Sequence, residues 1–577
     1  MKSVSRHDFA VADGTHECFV MRGVGDRRGA ALVAAGVWGC RRRGGCVACG
    51  RRAVSWPQRR DMDADRHDER SCCISDPQKV EVQAVVVNCQ ELKSLNNVYE
   101  PTTVQVETAP ALPQIFATAA AMSFHIVVGV SLAFSAILVP SIMKEADELN
   151  ISKSQASWLA SSLVLFVPVG TMTAGCLMES YGRLNAIKMA AIPSIIGWAL
   201  IGSGQSFVPL LIGRMLTGIG TGMGSSPAVV YTTEIAKPEI RGALTSAGAT
   251  LASLGMLIIY GEGALLHWRT CSWLSMIYII VPIILIWTCI PESPVWLIAR
   301  GRVDEAEASL KWFGGKNKSL HKRQLAAMVR SQDMRALAVS SFPMRMKSFL
   351  KPTGYKPLGI MFVLFIVQQF SGIYITLFYA INFFEDIGTE IDPNLATVFL
   401  GMVRFGMSVA NTILLKHFGR RTLCFFSCFG MSISMILSGF STMYIMNGGG
   451  LTWIPVVCVL AYVCTSMSGL LSIPWIMTAE LFPTEIRGIA HGIVMSFGYL
   501  AMFAAIQCYF DMLYYFGGAH VLQWFFAGMS LLGAVHVWIF LPETHSVTLS
   551  SIEQYFKENI FYCRYLRKQA REAAPNL

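Results

Sequence analysis

Residues 469–488, GLLSIPWIMTAELFPTEIRG, close an apolar run that begins near Trp453, carry a Pro-Trp pair at Pro474 and Trp475, and then break into charge at Glu480 and Arg487. A run of that length reads as a helix crossing a membrane, and a proline inside it loosens the backbone ladder without expelling the helix from lipid. The helix is expected to bend there. Glu480 and Arg487 stand about two helical turns apart, which lets them share a face or reach a partner elsewhere in the fold. Residues 231–242, YTTEIAKPEIRG, repeat the device after a glycine-rich apolar run, with Glu234 and Arg241 at the same spacing. The chain therefore reads as two related halves.

Composition sets the class. Of 577 residues, 53% are hydrophobic and 15% charged, with a mean hydropathy of +0.47. Soluble domains carry about a quarter charged residues, so this is a polytopic membrane protein embedded in a lipid bilayer. Twelve apolar runs lie at 114–140, 156–177, 185–204, 208–230, 246–266, 273–290, 358–380, 395–415, 422–444, 453–475, 489–510 and 521–541. They predict six spans, a basic loop and six more spans, an all-α membrane protein of twelve transmembrane helices in two six-helix bundles. The expected divisions are a disordered cytoplasmic tail over 1–110, bundles over 111–298 and 357–545, an amphipathic cytoplasmic linker over 299–356 and a cytoplasmic tail over 546–577. The net charge of +10 would suit nucleic acid, but its basic residues gather in alternate loops and near the N-terminus, which is a topology signal and excludes that partner.

The first 110 residues hold basic and mixed-charge stretches and seven of the 16 cysteines. Cys46 and Cys49 form a C-x-x-C, but the spacings to Cys72 and Cys73 are irregular for zinc, so no metal and no cofactor is expected. No Leu-rich segment precedes a cleavage site, so the stretch is not read as a signal peptide. The remaining cysteines are scattered singly and read as small hydrophobes.

The side that carries 299–356 also receives Arg183, Lys188, Lys237, Arg241, Lys416, Arg420, Arg421 and Arg487, whereas the opposite side includes acidic Glu385 to Asp392. The positive-inside rule then places both termini in the cytoplasm of a multi-pass plasma-membrane protein. Asn150 in Asn-Ile-Ser falls in the first outer loop and is a candidate glycosylation site, while Asn317 falls inside and should stay unmodified.

Repetition extends beyond one motif. Gly182-Arg183 recurs as Gly419-Arg420-Arg421, Glu234 to Arg241 as Glu480 to Arg487, and Pro291-Glu292-Ser293 as Pro542-Glu543-Thr544, each about 240 to 250 residues on. Ordered duplication is the signature of bundles that rock about a central site. With Glu179, these charges form a candidate gating network of Glu179, Arg183, Glu234, Arg241, Glu292, Arg420, Arg421, Glu480, Arg487 and Glu543, able to bridge helix ends when an inner gate shuts. Anchoring of topology is the alternative role.

On these residues the chain resembles the sugar porters of the major facilitator superfamily over about 112 to 560. The pattern G-x-x-x-D-x-x-G-R-R appears as Gly175 to Leu184, with Glu179 for the acid and Leu184 for the last Arg. Lys416 stands where the second copy should have its acid, so one gate contact is expected to be lost there. Arg214 in GRMLTGIGTGMG, the run Pro291 to Leu297, QQFSG at Gln368 to Gly372, and Pro542-Glu543-Thr544 also agree. Ser157-Trp158 and Glu179 are most similar to the insect facilitated trehalose transporters.

The resemblance implies the major facilitator fold and a sugar as the small-molecule partner. It places Gln368 and Gln369 on the substrate, with Trp475 as a flat wall for the ring. Tyr374, Tyr379 and Arg404 complete the expected binding set. Read from the residues alone, the glutamines can also be glue between helices and Trp475 simple packing. Ala249, Tyr374, Arg404 and Gly498 replace four amides of the glucose-transporting members, which points to a different sugar or another solute. A guanidinium near mid-membrane costs about 2.5 to 3.5 kcal/mol on insertion scales, so Arg404 should face a cavity or a partner. The first span has His125 and no carboxylate, which favours facilitated diffusion over proton coupling. Glu262 is expected to pair with Arg269.

No Walker loop, paired catalytic carboxylates or H-E-x-x-H is present, so ATP hydrolysis and proteolysis are excluded and no enzyme is expected. The sequence supports a passive carrier of trehalose or a related sugar working by alternating access. It leaves open a non-transporting sugar sensor and a proton-coupled carrier of another polar solute.

Overall fold

The computed structural model describes residues 111–145, 149, 151–314, 325–330, 346–483, 485–545, 547, 549–559 and 561–562, with two short antiparallel pairings, Phe19–Val20 with Val85–Val86 and Arg41–Arg42 with Gly45–Cys46. The chain divides into two compact units, Met1–Thr108 and Ala109–Leu577. Apart from those pairings, the expected tail with Cys49, Cys72 and Cys73 lies outside the described residues, as do Asn150, Asn317 and residues 563–577.

Among the described residues, twelve helices of the second unit are long and apolar enough to cross a membrane: α1 Ala111–Lys144, α2 Lys153–Tyr181, α3 Arg183–Ser203, α4 Phe207–Ile235, α5 Glu239–Leu265, α6 Trp268–Thr288, α7 Pro352–Phe378, α8 Pro393–His417, α9 Arg420–Met446, α10 Ile454–Glu480, α11 Arg487–Gln507 and α12 Ala519–Phe540. At 1.5 Å per residue, a span of some 27 residues is about 40 Å long, enough to clear a ~30 Å hydrocarbon layer with tilt. Several spans outrun their apolar stretches. The helix of α5 begins at Pro238, well before the apolar run at 246, because a proline on the first turn needs no N–H partner and Glu239 suits the positive helix end. The interior is mostly apolar yet takes up polar groups, and large apolar side chains also cover the exterior. Gln368, Gln369, Arg214 and Thr478 are buried, while Met172, Trp287 and Leu437 are exposed on the helix exteriors, as a lipid solvent demands.

Close helix approach shapes the first half. A Cβ on Gly170 would lie 2.1 Å from the Ile219 carbonyl oxygen and one on Gly218 2.2 Å from that of Leu163, so α2 and α4 touch backbone to backbone. Buried Arg214 ties the same region. Its Nε donates to Leu159 O and its Nη1 to Ser131 O, both at 3.0 Å, and its Nη2 donates to Ser135 Oγ.

In the second half α7 and α10 are interrupted. Helix runs Pro352–Phe370 and resumes at Ile375, and runs Ile454–Ser468 and resumes at Ile473. The bend expected at Pro474 is thus a break at Gly469–Ser472, and Pro474 sits on the first turn of the next helical segment. Its missing N–H removes no bond at that position. Glu480 and Arg487 share no helix, because α10 ends at Glu480 and α11 begins at Arg487. Outside the spans, a helix over Val303–Gly314 begins with Asp304 and Glu305 and ends with Lys311, matching its dipole. A helix over Leu549–Glu558 docks through Lys356, whose Nζ donates to Phe556 O at 2.7 Å and Asn559 O at 3.1 Å.

The expected pairing of Glu262 with Arg269 is not formed. Tyr278 donates its hydroxyl to Glu262, and Arg269 instead meets Glu145 at 3.5 Å. The loop after α1 brings Glu145 to Arg269, His267 and Trp268 across the end of α6, a match that sequence distance hides.

Because Arg214 supplies three buried donors, Arg214→Met should cost about 3 kcal/mol or more of folding stability. Fluorescence-detected size-exclusion in mild detergent should show most of the folded peak lost. An unchanged peak with an unchanged melting temperature would show that these bonds do not hold α1, α2 and α4 together.

Candidate functional site

The two helix breaks face one another. Gln368, at the end of the first segment of α7, donates its Nε2 to Leu470 O at 2.6 Å and Leu471 O at 2.9 Å, the carbonyls freed where α10 unwinds. Gln369 donates to Gln368 Oε1 at 3.0 Å, and its own Oε1 is buried without a partner. From α8, Asn411 donates to Ser472 Oγ at 2.9 Å and likewise keeps a buried, unpartnered Oδ1. Gln368 thus binds helix to helix, and Gln369 leaves one acceptor open.

An aromatic wall stands beside them. Trp475 donates its Nε1 to the Tyr374 hydroxyl at 3.2 Å and lies 4.8 Å from the Phe365 ring and 5.1 Å from Tyr499. Gly498 follows from this wall, since a Cβ there would sit 2.8 Å from the Phe365 ring. Tyr379 joins a different group. Its hydroxyl donates to Ile506 O at 3.2 Å and its ring stacks 4.5 Å from Tyr509 at the far end of α11. Arg404, near the middle of α8, is buried, with Nε unpartnered and Tyr260, Tyr374 and Tyr462 within electrostatic reach. His125 on α1 is also buried with an unpartnered Nδ1.

The two halves meet along α5 and α8, where Ser408 pairs with Thr250 and Thr412 with Ser246, each at 3.2 Å. They also meet away from the basic loops. Ser161 donates to Gln507 Oε1 at 2.7 Å, Tyr260 donates to Leu377 O at 2.9 Å, and Lys144 lies 3.7 Å from Glu385.

On the basic face the expected charge network is built twice, once in each half. Arg183 bridges to Glu234 at 2.9 Å, and Glu234 accepts from the Ser293 hydroxyl. Arg420 bridges to Glu480 at 3.5 Å, and Glu480 accepts from the Thr544 hydroxyl. Glu292 accepts the backbone N–H of Arg183 at 3.1 Å and Leu184 at 3.0 Å, as Glu543 accepts those of Arg420 at 2.8 Å and Arg421 at 3.2 Å. The carboxylates thus cap the first turns of α3 and α9. Arg241 and Arg487 each donate to a carbonyl five residues back, Ala236 O and Phe482 O, closing the turn into the next helix. Glu179 reaches Arg183 at 3.9 Å in the first half. In the second half Lys416 holds that position and His545 contacts Arg420 instead. Arg421 donates to Trp538 O at 2.8 Å. Burial raises the Glu292 carboxyl above its usual pKa of 4.5, against the backbone bonds from Ser293, Leu184 and Arg183 that lower it. The ion pairs Arg183–Glu179, Arg183–Glu234 and Arg420–Glu480 each join helices of one half.

Residues 88–556 match the sequence pattern of the family described as "Sugar (and other) transporter". The chain belongs to that family. Among curated relatives, the facilitated trehalose transporter Tret1 of Polypedilum vanderplanki is 31% identical over 470 residues, covering 80% of this chain and 91% of that protein. Tret1 of Culex quinquefasciatus is 32% identical over 447 residues, 76% of this chain and 85% of that one. Among solved structures, the inward-open xylose transporter XylE from E. coli superposes with a TM-score of 0.63 at 24% identity, covering 76% of this chain and 98% of that one. A second structure, XylE bound to 6-bromo-6-deoxy-D-glucose, gives 0.61 at 24%, over 77% and 99%. These two likenesses concern the fold.

In this transporter the sequence reading missed Asn411, Tyr260 and Tyr462, and the carbonyls of Leu470 and Leu471. A signal for Asn411 was present, because Arg404, Ser408 and Asn411 recur at helical spacing on an otherwise apolar span. The carbonyls carried no such signal.

The turn glycines are required by the carboxylates that approach them. A Cβ on Gly419 would lie 2.2 Å from Glu543 Oε2, as one on Gly182, which has φ +104°, would lie 2.5 Å from Glu292 Oε2. Gly419→Ala should therefore displace Glu543 from the start of α9, lowering the melting temperature and reducing uptake several-fold. Gly488→Ala, with open space around it, is the matched control and should leave both unchanged. Equal behaviour of the two variants would contradict this account.

Proposed function

We propose that this chain is a plasma-membrane carrier that moves a sugar, trehalose or a related hexose or disaccharide, by alternating access and facilitated diffusion. The observation that carries this reading is the cluster at the two helix breaks. Gln369 Oε1 and Asn411 Oδ1 are buried acceptors without donors, and each such group costs about 1 to 3 kcal/mol until a ligand hydroxyl fills it. The Trp475 wall with Phe365 and Tyr499 supplies the apolar face that a sugar ring covers. The names of the relatives support the same substrate class.

With the basic face in the cytoplasm, as the positive-inside rule requires, both termini and the linker lie inside. The bonds Ser161 to Gln507, Tyr260 to Leu377 and Lys144 to Glu385 then close the outer side, while the inner ion pairs stay within their halves. This is the arrangement of an inward-facing carrier. Closing the inner side brings the clusters around Arg183 and Arg420 towards one another, and their exchange of partners gives the gate. Uniport follows from α1, whose residues include no carboxylate.

Saturable uptake of labelled trehalose into oocytes that express the chain tests this. Gln369→Ala should lower uptake about tenfold at unchanged surface expression, the equivalent of ~1.4 kcal/mol. Gln368→Ala should also lower thermal stability, since it frees the Leu470 and Leu471 carbonyls. Uptake should stay level between about pH 5.5 and 7.5, the window in which an unperturbed histidine titrates. A steep rise in acid would remove the uniport reading, and absence of flux for every sugar tried would remove the carrier.

A further inference from the structure

Among the described residues, two guanidiniums lie buried inside membrane spans and away from the span ends, and the fold treats them differently. Arg214 on α4 is fully occupied by the Leu159 and Ser131 carbonyls and the Ser135 hydroxyl. It shows what a structural arginine looks like in this protein. Arg404, near the midpoint of α8, is 3% exposed, leaves its Nε without a partner, and makes no hydrogen bond or ion pair among the described residues.

Its position is central. One turn to either side, α8 meets α5 of the other half. A Cβ on Gly401 would lie 3.0 Å from the Tyr260 ring, and Ser408 pairs with Thr250. The guanidinium is thus held where the halves meet, within electrostatic reach of Tyr260 of α5, Tyr374 of α7 and Tyr462 of α10. These phenols are already engaged. Tyr260 donates to Leu377 O, Tyr462 donates to Ser371 O at 2.8 Å, and Tyr374 accepts from Trp475. They offer oxygen lone pairs that orient a cation but carry no charge to neutralise it.

The surrounding polar groups form a gradient. Asn411 Oδ1 and Gln369 Oε1 are open acceptors that suit sugar hydroxyls as donors. Arg404 is a pure donor with a full positive charge. Along α8, Arg404 and Asn411 are seven residues apart, about 10 Å of helix rise, a span that one sugar-sized ligand bridges with a hydrogen bond at each end. A neutral sugar meets the acceptors but leaves the buried cation uncompensated. A planar fork of N–H donors in a site sheltered from water is matched best by a carboxylate or phosphate.

We propose that the sugar this carrier moves bears an anionic group, a carboxylate or a phosphate, which pairs with Arg404. The inference rests on the carrier function above and departs from it in one respect, since the carried sugar is a sugar acid or sugar phosphate in place of a neutral sugar such as trehalose.

The test compares labelled glucuronate, glucose 6-phosphate, glucose and trehalose in oocytes that express the full chain. At least one charged sugar should be taken up with an apparent affinity about tenfold or more better than glucose, since a hydrogen bond to a charged group is worth about that factor. Under voltage clamp its entry should appear as an outward current, because a net negative charge crosses per turnover. Arg404→Gln should abolish the preference and the current. Arg404→Lys should keep the current and part of the preference. Carriage of glucuronate alone assigns a carboxylate, and carriage of glucose 6-phosphate alone assigns a phosphate. Should Arg404→Gln fail to reach the surface, the wild-type preference and the lysine variant decide. Neutral sugars moving alone, or charged and neutral sugars handled equally, overturn this proposal and leave the carrier standing. No flux of any of the four overturns both.

Discussion

A backbone carbonyl inside a membrane must find a donor, because no water is present to supply one. The breaks of α7 and α10 in the second half are organised by that demand. Where α10 unwinds, Leu470 and Leu471 turn their carbonyls towards Gln368, and the same unwound turn offers Ser472 to Asn411. The break is held from α7 and α8 together, so three helices of one half are locked by side-chain amides. The amides that remain partly open, on Gln369 and Asn411, are the surplus of that arrangement.

The charged face answers the same demand at the membrane boundary. The first N–H groups of α3 and α9 have no partner within their helices, and Glu292 and Glu543 supply one from a distant loop. Each carboxylate can approach only because the preceding residue is glycine. The Gly-Arg and Pro-Glu motifs are therefore two parts of one device, in which glycine leaves the room, the acid caps the helix, and the arginine holds the second acid, Glu234 or Glu480. Duplication preserved this geometry even where Lys416 replaced an acid.

The spans and their duplication were legible in the sequence because apolar run length and motif order are one-dimensional properties. The twelve runs beginning at 114 correspond to the twelve helices, and the charges flagged after α2, α4, α8 and α10 fall into the two clusters. What the sequence hid depends on distance in three dimensions. Arg269 chose Glu145 over Glu262 because Glu145, just past the end of α1, lies beside the start of α6. Pro474 reads as a bend but begins a helix, since the glycine at 469 and the carbonyls behind it absorb the change in direction. Tyr379 follows the glutamine pair by about ten residues yet packs against Tyr509, because the interruption of α7 after Phe370 turns the chain.

The backbone contact of α2 with α4 at Gly170 and Gly218, together with the arginine pinned across α1, α2 and α4, leaves the first half little freedom to deform. The second half has two severed helices where the first half shows none of comparable depth. Deformation in such a molecule concentrates where stiffness is least. The duplicated sequence is thus carried by two halves of unequal regularity, one with spans in backbone contact and the other with two spans broken midway.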